Sequence, residues 1–126
     1  MVDTKVYKVP NLASDAIVTR ATQNSSHQIL LITRGRDPFQ GHYAFPGGFV
    51  DYGEDPKVGV VRELKEECSI DAVGEPELIT VAGKPDRDPR KHIVSIVYHV
   101  TVDPNANVVA ADDAASAKWY DLKDVY

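Results

Sequence analysis

Gly48-Phe49-Val50-Asp51-Tyr52-Gly53-Glu54, then seven residues, then Arg62-Glu63-Leu64-Lys65-Glu66-Glu67-Cys68-Ser69-Ile70: this stretch decides how the chain reads. It sets a Gly-rich turn in front of a helix. Asp55 is placed to cap that helix, and Pro56 suits its first position, where a missing N–H costs nothing. Glu54 and Asp55 also suit the positive end of the helix dipole. At about 100° per residue, Val61, Leu64 and Cys68 form one apolar stripe, and Glu63, Glu66 and Glu67 lie roughly opposite. The glutamates stand three and four residues apart, so their side chains converge, and Arg62 is within reach of Glu66. An acidic helix face is usually just a wet one. Here like charges four apart disfavour the helix by a few tenths of a kcal/mol, and the Gly-rich turn lies close upstream. The simplest compensation is a hard divalent cation, which prefers oxygen ligands. Pro46 fixes one backbone angle, while Gly47 and Gly48 permit close approach of the main chain, so that the Gly48 carbonyl can join the carboxylates.

Working outward, residues 1–14 carry little pattern and read as an irregular arm or a short first strand. Ala16 to Ala21 and Gln28 to Thr33 read as two strands of a hairpin, joined through Gln23-Asn24-Ser25-Ser26. Arg34 to Gly41 is a polar loop, and a short strand near Tyr43 to Phe45 runs into Pro46-Gly47-Gly48. Leu78 to Ala82 reads as a strand, followed by a loop from Gly83 to Lys91 broken by Pro85 and Pro89. His92 to Val102 is the clearest strand, with Val94, Ile96, Tyr98, Val100 and Val102 alternating on one face. Asp103 to Ser116 is a loop, Ala117 to Tyr120 a last strand, and Asp121 a cap for a final helix that barely begins. One helix among strands predicts a mixed α/β domain occupying residues 1–126.

Composition narrows the possibilities. A chain of 126 residues with 43% apolar content can bury a real core. No apolar run approaches the roughly 20 residues of a membrane span, and no secretory leader is visible. The single cysteine, Cys68, suits a reducing compartment, so a cytoplasmic location with no membrane partner is expected. It lies on the apolar stripe and reads as an inert thiol. A net charge of −5 argues against nucleic acid held on a basic surface, but leaves room for a small phosphorylated ligand screened by a metal.

The spacing of Gly48, Glu54, Arg62, Glu63, Leu64, Glu66, Glu67 and Ile70 resembles the Nudix box: Gly, five residues, Glu, seven residues, then Arg-Glu-aliphatic-any-Glu-Glu-any-Gly-aliphatic. Only Ser69 departs, standing where the family has Gly. The likeness covers about Ala16 to Leu122. It implies an α/β/α sandwich around a mixed β-sheet, and metal-dependent hydrolysis of a nucleoside diphosphate linked to another moiety. The flanks, Arg34-Gly-Arg-Asp-Pro-Phe39 and Pro85-Asp-Arg-Asp-Pro-Arg90, are similar to those of small ADP-ribose pyrophosphatases, as is Asp112-Asp113-Ala114 ahead of Trp119. Pro85 stands sixteen residues beyond Ser69, at the spacing of that subgroup.

By the same resemblance, Glu63, Glu66, Glu67 and the Gly48 carbonyl hold Mg²⁺ or Mn²⁺, with Glu67 bridging two ions. Arg62 positions Glu66 or Glu54, and Glu54 orients the helix or a water. Asp112 or Asp113 supplies a metal ligand or the general base, unless a box glutamate does. Arg34, Arg36, Arg87 and Arg90 are candidates for the substrate's phosphates, because guanidinium forks suit them. Phe39, Tyr43, Phe45 and Tyr52 offer stacking surfaces or else belong to the core; Phe45 and Asp113 join the substrate-binding set. His42, His92 and His99 show no ligand spacing. The activity expected is cleavage of ADP-ribose, or a related nucleoside diphosphate sugar, to AMP and ribose 5-phosphate. The alternatives are a nucleoside triphosphate hydrolase and a non-catalytic nucleotide sensor. A homodimer and a C-terminal helix beyond Leu122 are further expectations of the resemblance.

Overall fold

The computed structural model describes residues 7–24 and 26–125. Residues 1–6 of the expected arm and Ser25 of the expected turn lie outside these. The first strand, β1 (Asn11–Ile17), begins earlier than its pattern suggested, and β2 (Thr19–Ala21) follows after a break at Val18. Val18 is wholly buried at the point where the chain passes from one sheet to another. There the carbonyl of Ile17 accepts from Val100 N–H and that of Val18 from Leu30 N–H. Strand β3 (His27–Arg34) closes the expected hairpin with β2. Strand β4 (Tyr43–Ala44) is short. Gly47–Phe49, expected to be a turn, is a strand, β5, because it pairs antiparallel with β1.

Helix α1 (Pro56–Cys68) starts as its sequence signs indicate: Asp55 Oδ1 accepts from Lys57 N–H at 2.9 Å, with Pro56 in the first turn. Beyond it lie β6 (Glu77–Ala82), β7 (Ile93–His99) and β8 (Ala114–Asp121). Strand β8 takes in Ala114 to Ser116, assigned above to a loop, because their backbone continues the ladder along β3 after an irregularity at Thr33/Arg34. Asp121 does not cap a helix with its side chain. Its Oδ1 accepts from Gln28 Nε2 at 3.0 Å, and only a 3-10 turn, Leu122–Asp124, follows.

The strands form two four-stranded sheets. One runs β5-β1-β7-β6, with β1 and β7 parallel; in the other β3 pairs with β2, β4 and β8. This is the mixed α/β architecture expected, with one α-helix among the described residues. None of the helices there is long and apolar enough to cross a membrane. Small residues on β1 (Ala13, Ser14 and Ala16, all buried) let α1 and β5 pack close against it. The core gathers Ala16, Val18, Leu30, Val60, Leu64 and Val100 with their neighbours. Strand β7 is not the one-sided strand its alternation suggested. Ile93, Ser95 and Val97 are buried as well as Tyr98, so residues of both parities along the strand are buried.

The helix ends at Ser69 with φ 60° and ψ 32°, the left-handed conformation expected where the family has Gly. Its N–H donates to the Lys65 carbonyl, and its Oγ–H donates to the Val109 carbonyl at 3.0 Å. A left-handed angle costs an L-residue about 1 kcal/mol or more relative to Gly. Ser69→Gly is therefore expected to raise the unfolding free energy by about 0.5–1 kcal/mol in urea titration. A less stable variant would show that the bond to Val109 outweighs the relief of strain.

Candidate functional site

Strand β5 and helix α1 meet at a cavity of about 990 Å³. Gly47 N–H donates to Glu67 Oε1 at 2.7 Å. A Cβ on Gly48 would stand 2.6 Å from the Glu63 carboxyl, so any other residue there would push the Glu63 carboxyl from its present place. Glu63 and Glu67 line the cavity together with Gly48, Asp112 and Asp113.

Glu67 differs from its expected place. It is buried, on the same side of α1 as Val60 and Leu64, not opposite the apolar stripe. Val61 is only half-buried. Burial drives the Glu67 carboxyl up to about 8; Glu63, Asp112 and Asp113 push the same way, and the Gly47 N–H opposes them. Burial also raises Glu63, against the pull of Arg62. Glu66 stands on the exposed flank, with its carboxylate turned to Arg62 at 3.2 Å.

Arg62 is the hub. Its guanidinium donates to both oxygens of Glu54 (2.8 and 2.9 Å), to Glu63 Oε1 (2.9 Å), to Glu66, and to the Phe49 carbonyl (3.1 Å). Hydrogen bonds from Arg62 and from the Asp51 N–H hold Glu54 down to about 2, and Arg62 is itself raised by Glu54 and Glu63. With Glu63 and Glu66 turned on Arg62, no three Asp, Glu, His or Cys side chains already surround one point at ligand spacing among the described residues. The donor set nevertheless fits a hard divalent cation. It is all oxygen, and among the described residues no Lys or Arg pairs with buried Glu67.

Basic and aromatic residues line the same cavity. Arg34, Arg36, Arg87 and Arg90 all line the cavity, as do Tyr43 and Phe45. Arg34 Nε donates to the Pro38 carbonyl, and Arg36 pairs with Asp113 at 3.1 Å. Arg87 donates to the Ile93 carbonyl. Arg90 forks onto Asp88 through two hydrogen bonds of 3.0 and 2.9 Å, which hold Asp88 down to about 2. None of Phe39, Tyr43, Phe45 and Tyr52 is core: all four are exposed, and Phe39 and Tyr52 lie away from the cavity. Sequence reasoning missed Phe49, on the cavity wall with Arg90 and Lys91 at 5.8 and 5.3 Å from its ring centre. It also missed Asp15 and Ser95 on the floor; their strands, β1 and β7, meet only across a parallel ladder, which no local pattern announces. Cys68 is buried, its thiol pushed up to about 12 by burial, an inert group as expected.

A model of the NUDIX domain matches residues 10–126. The chain is 40% identical over 121 residues to an ADP-ribose pyrophosphatase of Methanocaldococcus jannaschii, a match spanning 96% of this chain and 68% of that one. Its fold superposes on a MutT/nudix family protein from Enterococcus faecalis with a TM-score of 0.88 and 30% identity. That match covers 95% of this chain and 47% of the other, so the chain spans about half the length of that relative. It also superposes on the NUDIX domain of Shewanella oneidensis NrtR complexed with ADP ribose, with a TM-score of 0.86 and 27% identity, covering 98% and 80% of the two chains.

The buried carboxyl sets a pH dependence for the protein kept in chelator. The folded-state value of Glu67, about 8, lies above the unfolded value of roughly 4.3. The folded state therefore binds more protons between these pH values, and its stability falls as pH rises through that window. Glu67→Gln keeps an acceptor for Gly47 and removes the charge. In EDTA it is expected to be more stable than wild type by 1 kcal/mol or more at pH 8, on the order of a one-unit shift or larger, with the gain vanishing toward pH 4. Parallel denaturation curves at both pH values would contradict this.

Proposed function

Since the chain belongs to the NUDIX family, we propose that it is a divalent-metal-dependent hydrolase that cleaves ADP-ribose, or a related nucleoside diphosphate sugar, to AMP and ribose 5-phosphate. The observation that carries this reading is one cavity lined both by carboxylates, Glu63, Glu67 and Asp112 among them, and by the guanidinium groups of Arg34, Arg36, Arg87 and Arg90. A diphosphate needs both: cations to neutralise it at the reacting phosphorus, and forks to hold the oxygens beyond.

Glu63, Glu66, Glu67 and the Gly48 carbonyl would hold Mg²⁺ or Mn²⁺. The bound metal would supply positive charge at the diphosphate and acidify water. Arg62 keeps Glu63 and Glu66 fanned from one helix face and anchors Glu54, so the ligands do not collapse onto one another or drift. Glu66 has only to turn from Arg62, since it is already solvent-exposed. Arg34, Arg36, Arg87 and Arg90 bind and orient the phosphates, and Phe45 offers a face to the base. Asp113 is tied to Arg36 and steers that guanidinium. Asp112, whose charge acts on both Glu63 and Glu67, is the candidate to take a proton from attacking water.

The intact carboxylate set favours catalysis over a purely sensing role. A screen with Mg²⁺ and Mn²⁺, read by product identity, tests the activity: AMP and ribose 5-phosphate from ADP-ribose are expected, faster than any product from a panel of nucleoside triphosphates. A triphosphate turned over faster would replace the substrate assignment, and no product from either set would sink the reading. Glu67→Gln is expected to lower kcat by two orders of magnitude or more with the fold retained. Near-normal turnover in that variant would remove Glu67 from the metal site.

A further inference from the structure

The cavity floor holds a carboxylate that the hydrolytic scheme leaves unused. Asp15 stands on β1, opposite Gly47 of β5 and Val97 of β7, and lines the cavity with Ser95 and Arg87. Ser95 is 2% exposed, and its Oγ–H donates to Asp15 Oδ2. The other oxygen, Oδ1, lies against Gly47 so closely that a Cβ there would collide with it. A Cβ on Gly47 would also collide with the Ser14 carbonyl oxygen, so glycine there serves the close approach of β5 to the β1 backbone as well as to Asp15. Burial pushes the Asp15 carboxyl up, while Ser95 and the charge of Arg87 pull it down. A half-buried carboxylate in a strand is costly to keep, and no Lys or Arg forms an ion pair with it among the described residues.

The geometry points to Asp15 as a specificity residue that accepts a hydrogen bond from a vicinal hydroxyl of a substrate ribose, and so selects ribose over deoxyribose. This rests on the cavity being the hydrolase site proposed above. The placement follows from the neighbours. Gly47, directly across the ladder from Asp15, is the residue whose N–H meets Glu67. Paired residues in such a ladder lie about 5 Å apart, so Asp15 is one step from where the diphosphate reacts. A carboxylate repels phosphate oxygens, and the neutral group on either side of the diphosphate in ADP-ribose is a ribose. Its hydroxyls are donors, and an acidic side chain is a good acceptor for them. Ser95 fixes the carboxylate plane, so the acceptor is already aimed before substrate arrives. ADP-ribose carries two such sugars, and the test separates them.

The test compares three substrates: ADP-ribose, its analogue with 2′-deoxyadenosine, and its analogue with 2-deoxyribose as the distal sugar. Wild type, Asp15→Ala and the isosteric Asp15→Asn are assayed for kcat/KM with Mg²⁺, and for binding by calorimetry in EDTA. Wild type is expected to prefer ADP-ribose over one analogue by about 10-fold, the worth of one well-made hydrogen bond; that analogue identifies the sugar. In Asp15→Ala the ratio should fall to within about 2-fold, by loss of activity and affinity toward ADP-ribose alone, with Asp15→Asn between. Equal losses toward all three substrates would mean that Asp15 merely shapes β5, and would overturn the inference, as would a wild type indifferent to both analogues. ADP-ribose bound with the expected discrimination but not cleaved would sink the hydrolase reading and leave Asp15 its role.

Discussion

Arg62 donates to Glu54, Glu63, Glu66 and the Phe49 carbonyl, and most of the site depends on that fan of hydrogen bonds. It ties the end of strand β5 (Gly47–Phe49) and the loop after it to the helix that follows. Without a cation in its midst, one helix face carrying this many carboxylates would work against its own helix. A guanidinium suits the task because its planar fork serves several oxygens at once, which an ammonium cannot do with the same geometry. The side chain is largely sequestered, 28% exposed, and Glu54 and Glu63 are each 13% exposed, so these contacts are stronger than ordinary surface pairs.

Arg62 does not reach Glu67, and that division gives the site its character. Glu54 is held charged by its partner, whereas Glu67 is buried beside other carboxylates and is pushed the opposite way. Other residues of the cavity repeat the pattern. Asp113 is neutralised by Arg36 and Asp88 by Arg90, while Asp112 and Asp15 have no ion-pair partner among the described residues. Paired acids position arginines. On the reading proposed here, the unpaired acids in the cavity serve cations and water in one case and a sugar hydroxyl in the other.

What could be read from the chain follows from the range of the interactions. The Asp55 cap and Pro56 are local, and the start of helix α1 (Pro56–Cys68) was legible to the residue, while its end at left-handed Ser69 was marked only through the family resemblance. Strand β5 was not, because Gly47-Gly48-Phe49 has no alternation; its extended form comes from pairing with β1 (Asn11–Ile17), more than thirty residues earlier. The burial of Glu67 was within reach. Anchoring the apolar stripe on Val60 instead of Val61 puts residue 67 seven positions on, nearly in line at 100° per residue. For β7 (Ile93–His99) the alternating valines and isoleucine masked a second buried face, since Ser95 does not look like a core residue. The box residues stood out through the family resemblance that their spacing carries. Asp15 had no such signature, and only the sheet brings it to Gly47 and Ser95.

The central claim is that the carboxylates lining the cavity form a divalent-cation site organised around Glu67. Titration of the substrate-free protein with Mn²⁺, followed by the electron paramagnetic resonance of the free ion, measures it most directly. The account predicts saturable binding that Mg²⁺ displaces and that Glu67→Gln weakens by at least an order of magnitude. Mn²⁺ binding that does not saturate, or that is the same in wild type and Glu67→Gln, would contradict it.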